Sequence, residues 1–269
     1  MKSIWRKYNG ALIPNTPPHI DIDVTGIEEK IKEENAYFAR WTSNFDQDEV
    51  ADFWYVIQDK ALDMDDYTTK YRTQIRRSLS RCDVKKVDKN EIIKFGYNSY
   101  VSAFKSYNTF LSPLSEEDFV NALLPLGNDW EFWGIYNLDG LMIGYSQNRI
   151  VNDYCDYSTT KFHPDFLKLR PSEALIYTMN QHYLNERNFR YVNDGARSIS
   201  HKTNIQSYLI QKFKFRKAYC KLNIVYSKRI EMLINIIYPM RSLIRYLRIG
   251  PFVKINILLE QERIRRSYE

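Results

Sequence analysis

Cysteine is scarce in this sequence: three in 269 residues, Cys82, Cys155 and Cys220, odd in number and far apart. That excludes a disulfide framework, and each thiol reads as a small buried hydrophobe in a reducing compartment. No cysteine or histidine cluster has zinc-site spacing, so no metal is expected. Glycine and proline are sparse too, nine of each, which rules out collagen-like composition. Long apolar runs are also missing: nothing approaches the roughly 18 uncharged residues that would suggest a membrane-spanning helix. The opening Met1-Lys2-Ser3-Ile4-Trp5-Arg6-Lys7 runs into charge where a signal peptide would have an apolar core, so a cytoplasmic protein is expected.

Aromatic residues, by contrast, are abundant, with 21 Tyr, 14 Phe and 5 Trp; together with 44% hydrophobic and 27% charged residues they exclude a disordered chain. The length suits one large core, or one core plus a small appendage. The net charge of +6 is unevenly placed. From Gln211 to Glu269 there are 14 Lys and Arg against 4 Asp and Glu, leaving 25 basic against 29 acidic before it. A basic tail on a mildly acidic body suits contact with anions such as phospholipid, polyanionic glycan or nucleic acid; a solvated helix face is the plainer reading.

Hydrophobic periodicity divides the rest. Residues 1–26 read as loop around Pro14, Pro17 and Pro18, and the pattern turns helical from Ile27 through Arg40. A short strand is expected at Phe53–Ile57, a basic helix at Tyr67–Arg81, a strand at Val84–Val87, and helices at Glu91–Ser106 and from Ser115. Trp130–Tyr136, the turn Asn137-Leu138-Asp139-Gly140 and Leu141–Ile150 form a hairpin signal, with a third strand at Asp153–Phe162. Pro164–Arg170 reads as loop, and Pro171 at a first helical position with Glu173 behind it marks a helix to about Glu186. A strand at Arg190–Asn193, a helix at Asn204–Lys212 and a strand at Ala218–Tyr226 complete an α/β order with a mixed sheet. Beyond Ser227, Ile230, Leu233, Ile234, Ile237, Met240, Ile244 and Leu247 follow helical spacing, with Arg241, Arg245 and Arg248 mainly elsewhere on the wheel and a kink expected at Pro239. Gly250-Pro251 breaks this tail before a second helix to about Arg266.

Two phrases carry a family resemblance. Lys70-Tyr71-Arg72-Thr73-Gln74-Ile75-Arg76-Arg77-Ser78-Leu79 is similar to the basic helix that precedes the sheet in Fem-like proteins. Tyr191-Val192-Asn193-Asp194-Gly195, through Thr203-Asn204 to Phe213-Lys214-Phe215, looks like the late strand, Asn-capped helix and "Gly-Phe" strand entry of GNAT proteins. Over roughly residues 50–226 the chain thus resembles the GNAT superfamily of acyl-CoA-dependent acyltransferases, in the divergent branch related to the Fem peptidyltransferases. The resemblance implies a GNAT-like domain at 50–226, preceded by a loop and helix segment at 1–49 and followed by a basic helical appendage at 227–269. Two departures stand out. The Gln/Arg-x-x-Gly-x-Gly/Ala phosphate loop is absent, its place taken by Phe166-Leu167-Lys168-Leu169-Arg170-Pro171-Ser172-Glu173. Where GNAT proteins often carry a catalytic Tyr stands Ile210; Tyr208 is two positions off, and Lys214 replaces the Gly.

The resemblance implies acetyl-CoA or another acyl-CoA as co-substrate. Its holders would be Thr159, Thr160 and Lys161 at the end of the acyl-lining strand, with Lys168, Arg170 and Ser172 at a helix start whose N–H groups favour phosphate. A well-capped helix beside solvated cations is the plainer reading of the same residues. Between Asn193 and His201 a short loop gathers an acid, a base, an imidazole and two hydroxyls. Asp194 or His201 there could act as general base, and Arg197 could hold an anionic group or the thioester oxygen. His163, at the end of the acyl-lining strand, is a second candidate base. Each alone has a structural alternative as turn or cap.

Acyl transfer to an amine or hydroxyl of a small-molecule, glycan or peptide acceptor, in cell-surface glycan or cell-wall metabolism, is the leading expectation. Aminoacyl transfer from tRNA, as the Fem resemblance implies, is the alternative; a non-catalytic binding protein on the same fold is another. Peripheral contact of the basic helices with the inner face of the membrane, and a homodimer, stay open.

Overall fold

The computed structural model describes residues 4–106, 112–199, 204–244, 246 and 251–268. In chain order the elements are β1 (Trp5–Tyr8), β2 (Ala11–Pro14), α1 (Ile27–Glu33), β3 (Phe38–Gln47), β4 (Trp54–Gln58), α2 (Thr69–Leu79), β5 (Cys82–Val87) and α3 (Lys89–Lys105). There follow α4 (Glu116–Leu123), β6 (Trp130–Asn137), β7 (Met142–Val151), β8 (Tyr154–Phe162), α5 (Pro171–Asn180), β9 (Tyr191–Ala196) and α6 (Ile205–Phe213). The chain ends with β10 (Arg216–Tyr226), α7 (Lys228–Ile237), α8 (Arg241–Ile244) and α9 (Pro251–Arg266). Mixed α/β architecture with helices at the C-terminal end is what the periodicity gives.

The chain forms two compact units. Met1–Tyr55, Ala196–Asn204 and Lys217–Glu269 make one; Val56–Gly195 and Ile205–Arg216 make the other. Sequence reading placed its limits at 49 and 226 along a linear chain, whereas the compact grouping returns strand β10 and the C-terminal helices to the unit that holds the N-terminus.

In the first unit β1 pairs antiparallel with β2, β2 parallel with β3, and β3 antiparallel with β10. Here the loop expected over residues 1–26 is corrected. Asn9 at φ 48° and Gly10 at φ 80° form a two-residue turn between β1 and β2. Positive φ at both central positions matches the right-handed twist of the flanking strands, and Asn-Gly tolerates it best. The helix expected to run to Arg40 is also shorter. It stops at Glu33, Asn35 adopts the left-handed conformation at φ 47°, and β3 begins at Phe38. Asn after a helix end supplies that turn without glycine. Ala11, Phe38, Phe53, Cys220, Leu222 and Ile264 form one buried cluster, and Ile234, Tyr238 and Leu259 fasten α7 to α9 in another.

The second unit carries the strand order β9-β8-β7-β6-β5. The β6–β7 hairpin turns at Gly140 (φ 79°), where the sequence places it. Ile92, Phe119, Leu123, Phe132, Met142 and Tyr145 form the core between helices α3 and α4 and the sheet. Gly96 of α3 lets the helix sit close to β7, because a Cβ there would meet Tyr145 at 3.3 Å. The loop expected at Pro164–Arg170 is a 3-10 helix over Pro164–Leu169, started by His163, whose Nδ1 accepts the Asp165 N–H at 3.3 Å. Helix α5 widens into π-helical turns at Gln181–Glu186, a local irregularity frequent near functional sites.

Candidate functional site

Strands β8 and β9 run parallel and pair only at Tyr154↔Tyr191, Cys155↔Val192 and Asp156↔Asn193. Beyond that register β8 stays paired with β7 as far as Gly144↔Phe162, so its last six residues have no β9 partner. Two local features sit at the point of parting. The β7–β8 register slips by one residue between Gln147↔Thr159 and Asn148↔Tyr157, a bulge at Ser158 that bends the strand. On the other strand Gly195 takes φ 97°, and its N–H is accepted by Asn193 Oδ1 at 2.9 Å. A non-glycine residue is strained at that dihedral.

Polar groups collect around this parting. Asn193 is buried; its amide donates to Tyr154 Oη at 2.9 Å and to Asp156 Oδ1 at 3.1 Å. Half-buried Asp194 has its carboxyl pushed up to about 7, first by burial and then by the negative charge of Asp156. A carboxyl in that range exchanges its proton near neutral pH. Buried Tyr157 donates to Asn180 Oδ1 at 2.8 Å, while Asn180 Nδ2 and the hydroxyl of Tyr67, both deeply buried, have no protein partner. Behind them a satisfied network stiffens the sheet. Tyr183 Oη accepts from Trp133 Nε1 at 2.9 Å and from Asn148 Nδ2 at 3.2 Å, and donates to Glu131 Oε2 at 3.0 Å. Glu131 in turn is held by Lys86 and Arg187, each at 2.8 Å.

At the head of α5 the picture differs. Glu173 is 4% exposed and receives Arg170 Nη1 at 3.2 Å, Lys212 Nζ at 3.3 Å and Ser172 Oγ at 2.9 Å. Ser172 Oγ lies 2.9 Å from Tyr208 Oη, whose pKa is raised by burial and then by Glu173. From α2, Ser78 Oγ donates to the Arg170 carbonyl at 2.6 Å and accepts the Ala174 N–H at 3.1 Å. Pro171 has no N–H to offer. A carboxylate and its own cations therefore occupy the terminus where the sequence suggested phosphate.

The remaining sequence candidates are placed as follows. Thr159, Thr160 and Lys161 lie on the unpaired-edge stretch of β8, opposite Gln147, Ser146 and Tyr145, with Thr160 Oγ1 3.2 Å from Ser146 Oγ. Lys168 is exposed. His163 caps the 3-10 helix and packs its ring on Phe166 at 5.4 Å. Arg197, in the first unit, donates to the Asp52 carbonyl and to Glu260 at 3.3 Å and lies 4.9 Å over the Trp54 ring, so its cation is engaged structurally. His201 lies outside the described residues, as do Arg245, Leu247 and Arg248. Sequence reasoning missed Tyr67, Tyr157, Asn180 and the burial of Glu173: a lone Tyr or Asn among many gives no signal, and Glu173 reads as an ordinary helix-start acid. Lys214 adopts the left-handed backbone conformation, φ 56°.

The fold finds counterparts among solved structures. The crystal structure of FemX superposes with a TM-score of 0.62 over 87% of this chain and 85% of its own, at 11% identity. L-PGS from Bacillus licheniformis matches at 0.54 over 97% and 84%, with 10% identity. The C-terminal DUF2156 domain of a putative lysylphosphatidylglycerol synthetase from Agrobacterium fabrum matches at 0.50 over 86% and 83%, with 12% identity. The chain has the fold of FemX and L-PGS. No protein-family model and no curated protein matches the sequence. The parted strands β8 and β9 and the head of α5 are the two places in this fold where buried polar side chains gather. Among the described residues no group of three His, Cys, Asp or Glu is arranged to hold a metal ion, and no helix is long and apolar enough to cross a membrane.

Proposed function

We propose that this chain is an acyltransferase that moves an aminoacyl group from an aminoacyl-tRNA ester to an amine or hydroxyl acceptor, with Asp194 as general base. One observation carries the choice of donor over acyl-CoA: the buried Glu173 carboxylate at the head of α5, already neutralised by Arg170 and Lys212. A pyrophosphate brought to that terminus would find both cations already engaged by Glu173 and the Ala174 amide spent on Ser78. Cations held in ion pairs and an amide already bonded offer an anion less than a bare helix N-terminus does.

In the transfer, the acceptor nitrogen or oxygen attacks the ester carbonyl, forming the new C–N or C–O bond. Asp194 takes the proton that the acceptor loses. The ribose oxygen leaves with the electrons of the broken ester bond and is protonated in turn. Burial, and after it the charge of Asp156 held by the Asn193 amide, keeps the Asp194 carboxyl protonatable near neutral pH. The unpartnered Asn180 Nδ2 and Tyr67 hydroxyl are donors for a carbonyl oxygen entering between β8 and β9.

Thermal unfolding with CoA and acetyl-CoA, beside turnover of a labelled aminoacyl-tRNA pool with amine acceptors, tests the reading. The expected result is amine-dependent release of labelled amino acid from tRNA and no stabilisation by CoA. A ligand at 100 times its dissociation constant stabilises by about 2.7 kcal/mol. A shift of that size with CoA, without tRNA turnover, would return the donor to acyl-CoA.

A further inference from the structure

Helix α7 and the segment that follows it are apolar on two opposite sides. One side is packed: Ile234 and Tyr238 are buried against Leu259 of α9, with Ile230, Ile237 and Ile244 against the same cluster. The other side carries Met232 (67% exposed), Leu233 (41%), Ile236 (65%), Met240 (52%) and Leu243 (68%). Met232, Leu233 and Ile236 share one side of α7, and Met240 and Leu243 follow at spacings of four and three across the 3-10 turn Tyr238–Met240. A surface helix of a globular domain ordinarily shows one apolar stripe, which faces the core, so a second row of five large side chains calls for a partner.

Charge identifies that partner. Lys228 and Arg229 open α7, and between 228 and 254 the sequence has six Lys and Arg against the single acid Glu231. Arg241 lies 4.5 Å over the Tyr238 ring, and its long stem lets the cation reach past apolar neighbours. A second copy of this chain, docked face to face about a twofold axis, would press the two basic segments together. An anionic bilayer supplies the opposite charge and an apolar interior in one surface.

We propose that the Met232–Leu243 face of α7 and α8 lies in the plane of an anionic lipid bilayer, its five apolar side chains below the headgroups and Lys228 and Arg229 among the phosphates. An in-plane helix with a large apolar face and flanking cations binds by buried area and by attraction to anionic lipid together. The inference stands apart from the proposed aminoacyl transfer, since it uses neither Asp194 nor Glu173.

Sedimentation of the full chain with phosphatidylcholine vesicles, with and without phosphatidylglycerol, tests it at low salt, where screening is weakest. The chain should pellet with the anionic vesicles only. Lys228→Ala and Arg229→Ala should each lower partitioning about fivefold, the equivalent of about 1 kcal/mol per charge. Ile236→Asp with Leu243→Asp should abolish it while leaving the melting temperature unchanged, both side chains being exposed. No pelleting of the wild type with phosphatidylglycerol overturns the proposal, as does wild-type pelleting of the Asp double variant. A dimer in sedimentation velocity that the Asp double variant dissolves puts a second copy on this face and also overturns it. Should the Asp variant unfold, the two alanine variants decide alone, and unchanged partitioning in both counts against the proposal.

Discussion

The head of α5 and the parting of β8 from β9 belong to the same unit, and both gather polar side chains at the end of a regular element. They differ in how those side chains are satisfied. At α5 the polar groups are engaged by the chain itself: Glu173 holds both Arg170 and Lys212, and Ser78 caps the Ala174 amide. At the strand parting, two like charges share a neighbourhood, and Asn180 Nδ2 and the Tyr67 hydroxyl are buried without a protein partner. Unmet polar capacity costs stability and is retained where it meets something else, whereas a closed ion-pair cluster has little left to offer a ligand. The difference teaches that a helix N-terminus beside cations is a binding site only when its donors and charges are not already spoken for.

The largest effect that would break this comparison is on turnover. Asp194→Asn should lower kcat by about 10²- to 10⁴-fold, as loss of a general base does, with substrate affinity little changed. A profile of kcat/KM against pH should rise through about 7 in the wild type, following deprotonation of Asp194, and lose that limb in the variant. Linkage gives the companion stability result. The carboxyl is raised in the folded state from an ordinary 3.8, so folding favours the protonated form and stability falls as pH climbs from about 4 through about 7. Asp194→Asn should therefore raise the melting temperature at pH 8 and leave it nearly unchanged below pH 4.

Next in size is Glu173→Gln, which leaves Arg170 and Lys212 without their buried counter-charge. Loss of charge-assisted bonds to these two partly exposed cations should cost about 2–3 kcal/mol, readable as a lower denaturant midpoint with the slope unchanged. The same variant sharpens the comparison: with the carboxylate gone, inorganic phosphate or CoA should gain measurable affinity by thermal shift. Tyr183→Phe should cost about 2 kcal/mol, because Trp133 Nε1, Asn148 Nδ2 and Glu131 Oε2 all lose their common partner. Smallest is Gly195→Ala, at about 1 kcal/mol from the φ of 97° alone, since no atom lies within 4 Å of the added methyl. An effect much above that would mean the backbone at the parting matters beyond its strain.

Much of the fold is legible in local pattern. Asp88 and Ser115 cap α3 and α4 through the Glu91 and Asp118 amides, Pro171 opens α5, and Gly140 turns the β6–β7 hairpin. Asn9-Gly10 offered the same kind of turn signal for β1 and β2, but three nearby prolines made the stretch read as loop. β3 is another matter: Phe-Ala-Arg-Trp-Thr-Ser-Asn-Phe-Asp-Gln has no clean alternation, and its pairing partner β10 stands about 180 residues away. Half-hidden strands of that kind are set by the neighbour they pair with.

For the site, sequence alone determined that Asp194 stands at the end of a buried strand and before a glycine, because both facts are written in adjacent residues. That Arg170 precedes a helix start was equally plain, and so was the missing glycine-rich loop. Only the tertiary structure decided what these residues face. Asp156 comes from β8, Asn180 and Glu173 from α5, Lys212 from α6, and Ser78 from α2. A pKa is shifted, and a cation neutralised, by whatever charge lies within a few ångströms, and that neighbourhood is assembled by packing between segments up to about a hundred residues apart. Exposure follows the same rule: the apolar spacing of α7 is local, but which of its two apolar sides stays outward was settled by where α9 came to rest.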